Sequence, residues 1–206
     1  MMMRYFSETG LDQYLDEEIF EKQESGFFVD IGAFDGIRDN HTFFFEKYRK
    51  WEGLCIDADK NAITELRKNR RSKIIEACIH ENSDCLWLES GRFSGLLAHY
   101  DRSRLSPEHI FLHQDRINPI QGRSLTKILL IEHRTEVDLC IINVMGSEIS
   151  VLNSIDMQEI DISIFVVYSN DEASNFISSW MKKKGYRLIK IAEQEQVYVK
   201  QEQEHA

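Results

Sequence analysis

The sequence predicts an α/β fold: a mostly parallel sheet that ends in an antiparallel hairpin. Short apolar runs at residues 27–29, 53–56, 74–79, 137–142 and 162–167 alternate with helical patterns, which is the rhythm of βαβ units. Near the end, "YRLIKI" and "QVYVK" follow one another across a short polar turn, and their alternation fits a hairpin. With 206 residues and 42% hydrophobic content the chain suits one core, so residues 1–206 are read as a single domain.

Taken in order, residues 11–20 form an amphipathic helix, and the run at 27–29 is too short for one. It ends at Asp30 and reads as a buried parallel strand feeding a loop, where Gly32 and Gly36 let the backbone turn and approach a ligand. Phe43, Phe44 and Phe45 read as helix packing against the sheet, and residues 62–68 form a short helix after the second strand. Ser124 is placed to cap a helix over 125–132, with Leu125, Ile128, Leu129 and Glu132 at helical spacing. A further helix covers 172–184, its last lysines complementing the dipole ahead of Gly185. The tail from Gln201 reads as a frayed end.

Residues 91–123 break the pattern. They hold both prolines, five arginines and three of the seven histidines, and a loop this long in a compact domain is usually functional or mobile. They are read as a lid over an acceptor site. Their basic character suits an acceptor carrying phosphate or a nucleotide sugar, although the same residues would also simply solvate a loop.

Composition excludes several classes. A net charge of -10 argues against general nucleic-acid binding, because a phosphate backbone would be repelled. Cys55, Cys78, Cys85 and Cys140 lack metal-ligand spacing and read as reduced residues of the core, with no structural zinc. The start "MMMRYFSETG" has no apolar stretch of a signal peptide, and no run approaches the roughly 18 apolar residues of a membrane span. A cytoplasmic protein without membrane insertion is expected.

The loop in "GFFVDIGAFDG" decides the ligand. A dinucleotide fingerprint would need glycine where Phe34 stands, and no G-K-[ST] follows to make a Walker A loop. What remains is D-x-G-x-x-x-G. An acidic strand end suits a cofactor with cationic groups, such as S-adenosylmethionine with its ammonium and sulfonium. Asp57 closes the second strand, where a carboxylate can accept two hydrogen bonds from an adenosine ribose.

The blocks "SETGLDQYLDEEIF", "GFFVDIGAFDGIRDNHTFFFEKYRKWEGLCIDAD" and "RSLTKILLIEHRTEVDLCIINVMGSEISVLNSID" resemble those of FkbM-like S-adenosylmethionine-dependent methyltransferases, from about Ser7 to Lys200. The resemblance implies the class I methyltransferase fold, a Rossmann-like sandwich with a seven-stranded sheet, and methyl transfer to oxygen, often on sugars. It places Asp30, Gly32, Ala33, Asp35 and Gly36 in the cofactor loop, Asp57 on the ribose, and Ala77 and Cys78 near the adenine, with Asn143 at the end of the fourth strand.

The acceptor half departs from the family. Asn143 and Met145 stand where the family's K-I-D-V-E-G has carboxylates, which argues against a divalent-ion site there. His41 stands where the family commonly has Asn, and Tyr168 where it commonly has Glu. The leading reading is an O-methyltransferase acting on a sugar or glycan hydroxyl; the alternative is a catalytically silent cofactor-binding module. His41 is the first candidate base, with His113, His109 and His99 of the lid next. Asn143 is counted with the catalytic set by position, although it cannot accept the proton. Glu148 is expected to support the following helix start.

Overall fold

A computed structural model describes residues 3–81, 84–90, 94–99, 106–112 and 114–201. A helix, α1 (Leu11–Tyr14), continues in a wider turn through Ile19 and precedes β1 (Phe27–Ile31). There follow α2 (Thr42–Tyr48), β2 (Glu52–Asp57), α3 (Lys60–Asn69) and β3 (Lys73–Glu76). An excursion comprises β4 (Cys78–Ile79), β5 (Asp84–Leu88), β6 (Gly95–Leu96), α4 (Pro107–Leu112) and β7 (Ile117–Arg123). The chain then returns through α5 (Leu125–Ile131), β8 (Glu136–Ile142), α6 (Glu148–Asn153), β9 (Asp161–Tyr168) and α7 (Asp171–Lys183). It closes with β10 (Tyr186–Ala192) and β11 (Glu195–Lys200).

Seven strands form one sheet in the order β10-β11-β9-β8-β1-β2-β3, parallel except where β11 pairs with β9 and β10. This is the class I methyltransferase fold. β1 is buried along its whole length because parallel neighbours flank it and helices cover both faces. Alternate residues serve the two faces. Phe27, Val29 and Ile31 pack with Leu125, Leu129, Val151 and Ile177 from α5, α6 and α7. Phe28 packs with Leu11, Phe44, Phe45 and Leu66 from α1, α2 and α3. The aromatic run is thus core, as Phe44 and Phe45 are fully buried.

Two sequence expectations need correction. The run at 74–79 is not one strand: it breaks at Ala77, β3 staying in the large sheet and β4 joining a second sheet of order β4-β7-β5-β6. The segment 91–123 is not irregular throughout, since β6, α4 and β7 lie within it. Pro119 is tolerated in β7 because β4 pairs only with Gly122 and Arg123, leaving an open edge where a missing N–H costs no ladder bond. Among the described residues, no helix is long and apolar enough to cross a membrane.

Candidate active site

A cavity of about 640 Å³ opens at the carboxyl ends of β1, β2 and β8, where ligands bind in open α/β sheets. Its size falls in the range of small-molecule sites. Gly32 sets its floor. With φ at 81°, its backbone occupies the left-handed region, and an added Cβ would sit 2.0 Å from the Asn143 carbonyl oxygen. Only glycine lets the first loop lie this close to the end of β8.

Asp57 presents its carboxylate at the end of β2. Oδ2 accepts from the Phe34 N–H at 2.9 Å and Oδ1 from the Asp59 N–H at 2.9 Å. A carboxylate has about four acceptor sites, so both oxygens retain capacity for ligand hydroxyls. Burial pushes the Asp57 carboxyl up to about 6, against the pull of these N–H donors. Asp59 beside it caps α3 through Oδ1, accepting from the Asn61 and Ala62 N–H groups, and its Oδ2 accepts from the Ser94 hydroxyl at 2.6 Å.

Of the residues read into the cofactor loop, Asp30, Gly32 and Ala33 line the cavity with Asp57, and Ala77, Cys78 and Asn143 line it too. Asp35 and Gly36 are not among its lining. Asp35 instead closes the loop on itself, accepting from the Ile37 and Arg38 N–H groups and from the Arg38 guanidinium. Burial alone would raise its carboxyl, but these donors prevail and hold it below the usual range. Gly36 makes room for Arg70, whose Cγ would lie 2.7 Å from an added Cβ. Asp30 likewise faces inward as well as toward the cavity: its Oδ2 accepts from Asn40 Nδ2 at 2.8 Å and Thr42 Oγ1 at 2.6 Å. Arg70, with its side chain fully buried, ties this cluster to Glu46, to Asn40 and to the Gly36 carbonyl.

His41 precedes α2 and lines the same cavity, although it is only 3% exposed. It does not cap the helix. Asn40 does, its Oδ1 accepting from the Thr42 and Phe43 N–H groups. The His41 ring is held by Glu195, with Nε2 at 3.0 Å from Oε1. Burial disfavours the imidazolium, but the Glu195 hydrogen bond and charge, with the charges of Asp30 and Asp12, outweigh it and raise the pKa above the ordinary value. His113 lies outside the described residues, as do the side chains of His99 and His109. Glu148 holds the loop after β8, its Oε1 accepting from the Val144 and Gly146 N–H groups at 3.2 Å. Met145 takes φ of 60° there and packs against Leu88.

Sequence reasoning missed two parts of the wall, Arg4, Phe6 and Glu8 of the N-terminal segment and Trp87 of β5, and it missed Glu195, which stands behind the wall as the partner of His41; Ser94 and Leu96 on the wall fall within the segment 91–123 that was read as a lid. The first segment is fastened by Glu8 N–H to Asp39 and by Ser7 and Phe6 N–H to Asp12. No local pattern marks such contacts, which join distant parts of the chain.

The model of the Methyltransferase FkbM domain matches residues 30–188. A search of curated proteins returns no match. Among solved structures, a putative RNA methyltransferase from Pyrococcus horikoshii aligns with a TM-score of 0.50 at 15% identity, covering 96% of this chain and 83% of that one. A methyltransferase FkbM from Methylobacillus flagellatus aligns with a TM-score of 0.49 at 14% identity, covering 85% of this chain and 43% of that one. At these identities the first likeness speaks to the fold alone.

Proposed function

The chain belongs to the FkbM methyltransferase family and depends on S-adenosylmethionine, and from that premise we propose that it methylates a hydroxyl oxygen of a sugar or glycan. The observation that supports this reading most is that one cavity joins Asp57 and Gly32, suited to a nucleoside cofactor, with the imidazole of His41. The residues present fit the cofactor: a carboxylate with acceptor sites left, a glycine that keeps the floor free of a side chain, and the small residue Ala77 beyond β3.

When bound, S-adenosylmethionine would supply a sulfonium methyl that an acceptor oxygen can attack, displacing S-adenosylhomocysteine with the carbon–sulfur electron pair on its sulfur. The chain itself contributes binding, alignment and a proton acceptor. Asp57, oriented by the Phe34 and Asp59 N–H groups, would hold the cofactor by accepting hydrogen bonds from its ribose hydroxyls. Gly32 against Asn143, with Glu148 holding the loop beyond, fixes the floor of the cavity, and alignment of this kind supplies much of the rate. His41 removes the acceptor's proton, since an alkyl hydroxyl does not ionise at neutral pH. Asn40, Arg38 and Asp39 on the lining suit a hydroxyl-rich acceptor. We read 91–123 as part of the acceptor lid, a reading supported by Ser94 and Leu96 on the cavity wall and by the Ser94–Asp59 bond. The buried thiols Cys55, Cys78 and Cys140 suit a reducing compartment, and we place the activity in the cytoplasm.

A mass-spectrometric screen of methyl transfer from S-adenosylmethionine to monosaccharides and glycans tests the proposal. Product carrying one added methyl on oxygen is expected, and His41→Ala should lower its formation by about a hundredfold or more. Methylation at nitrogen or carbon would overturn the O-transfer reading. Cofactor binding with no transfer to any member of the panel would overturn the sugar reading and favour a silent binding module, which Asn143 and Met145 motivate.

A further inference from the structure

Glu195 and His41 stand 154 residues apart in sequence, yet they form a buried pair beside the cavity. The antiparallel direction of β11 explains the meeting. Its first residue, Glu195, pairs with Tyr168 at the end of β9 and so returns to the carboxyl edge of the parallel strands. There the carboxylate spans one ring nitrogen: Nε2 lies 3.0 Å from Oε1 and 3.2 Å from Oε2. Oε2 also accepts from the Thr9 hydroxyl at 2.7 Å, and Ser7 Oγ stands 3.4 Å from Nε2.

An ionised carboxylate can only accept, so Nε2 is the nitrogen that carries hydrogen. In the neutral ring Nδ1 is then the acceptor. Every hydrogen bond of the His41 side chain among the described residues runs through Nε2, and the residue lines the cavity shared with Asp57 and Asn143.

We infer that Glu195 is a positioning residue: it fixes His41 as the Nε2–H tautomer and leaves Nδ1 to take the acceptor's proton. This rests on the hydroxyl-methylation reading. The acceptor O–H bond breaks, an N–H bond forms at Nδ1, and the positive charge that appears on the ring is set against the Glu195 carboxylate. The charged groups acting on His41 are Glu195 of β11, Asp30 of β1 and Asp12 of α1; Ser7 and Thr9 add neutral hydroxyls. All three charges favour the imidazolium, which is the form the ring takes after it accepts the proton.

The test is the imidazole nitrogen NMR spectrum of His41 as a function of pH, in the whole protein saturated with S-adenosylhomocysteine. Wild type should show the Nε2–H tautomer above the His41 pKa. Glu195→Gln should lower that pKa by about one unit, the scale of a lost opposite charge. Glu195→Ala should mix the tautomers, Thr9→Ala should leave tautomer and pKa in place, and all variants should bind S-adenosylhomocysteine within about twofold of wild type. An Nδ1–H tautomer in wild type would overturn the inference even if every variant failed to fold. An unchanged pKa in Glu195→Gln would overturn it as well. The readout needs no acceptor, so failure of methyl transfer to sugars would sink the sugar reading, and methylation at nitrogen or carbon the hydroxyl reading, while either would leave the tautomer result standing.

Discussion

The backbone of Gly32 passes so close to Asn143 that a Cβ on Gly32 would lie 2.0 Å from the Asn143 carbonyl oxygen. Two loops, from the ends of β1 and β8, are thereby pressed into one cavity floor, and Asn143 N–H donates to the Ile31 carbonyl to hold them there. Gly32→Ala should cost at least about 1–2 kcal/mol from the left-handed backbone alone, before the clash is relieved. Urea unfolding should show that loss, and calorimetry should show S-adenosylhomocysteine binding weakened in whatever folds. A variant that binds as wild type would mean the floor yields more easily than this contact implies.

If Asp57 holds the ribose as proposed, cofactor affinity should depend on pH. Burial pushes its carboxyl up to about 6, and the ionised form is the one that would accept from ribose hydroxyls. Affinity for S-adenosylhomocysteine should be level above about pH 7 and should fall toward tenfold per pH unit below the titration point, as the ionised fraction falls. Asp57→Ala removes charge-assisted bonds on the order of 1.5–3 kcal/mol, about tenfold to a hundredfold in affinity, and should flatten the profile. Wild-type binding that does not change from pH 5 to pH 8 would remove Asp57 from the cofactor site.

Arg70, at the C-terminus of α3, is a buried cation packed against the first loop. It stands 3.1 Å from Glu46 and 3.9 Å from Asp30, and it donates to Asn40, Thr42 and the Gly36 carbonyl. Removing it leaves two buried carboxylates without their counter-charge, a change that typically costs about 3–5 kcal/mol. Arg70→Met should therefore destabilise strongly in denaturant titration. Arg70→Lys should recover little, because a single ammonium cannot serve this many acceptors in a planar fork. Full stability in Arg70→Lys would show that charge alone suffices.

The large sheet was legible because its central parallel strands carry apolar runs that helices bury on both faces, as in β1 and β8; the edge strand β3 is only half-buried, and its run was read on through β4. The second sheet was not. β5 alternates only partly and exposes Leu86, β6 has two residues, and β7 contains Pro119 with mostly exposed neighbours, so none carries a clean strand period. The site divides the same way. Gly32 and Asp57 were legible because backbone approach and strand-end charge are local signals, whereas Asp35 and Gly36 share that motif yet serve the loop's own hydrogen bonds and the Arg70 packing. Glu195 reaches His41 only through the long-range pairing of β11 with β9, which no local period encodes.

His41 should also leave a signature in stability. Its pKa in the folded protein is raised: burial opposes the charge, but Glu195 first, then Asp30 and Asp12, prevail. The unfolded value is about 6.5. The folded state therefore holds this proton more tightly, and the stabilisation from the His41–Glu195 pair is fully present below about pH 6.5 and is lost as pH rises through the folded pKa. His41→Asn substitutes a residue that does not titrate. Urea midpoints measured from pH 6 to pH 9 should fall for wild type relative to His41→Asn. Asp57 titrates in both proteins, so the difference between the two curves reports His41 alone. Parallel curves would mean that the imidazole holds no extra proton in the folded state, and that the Glu195 contact is a neutral hydrogen bond throughout this range.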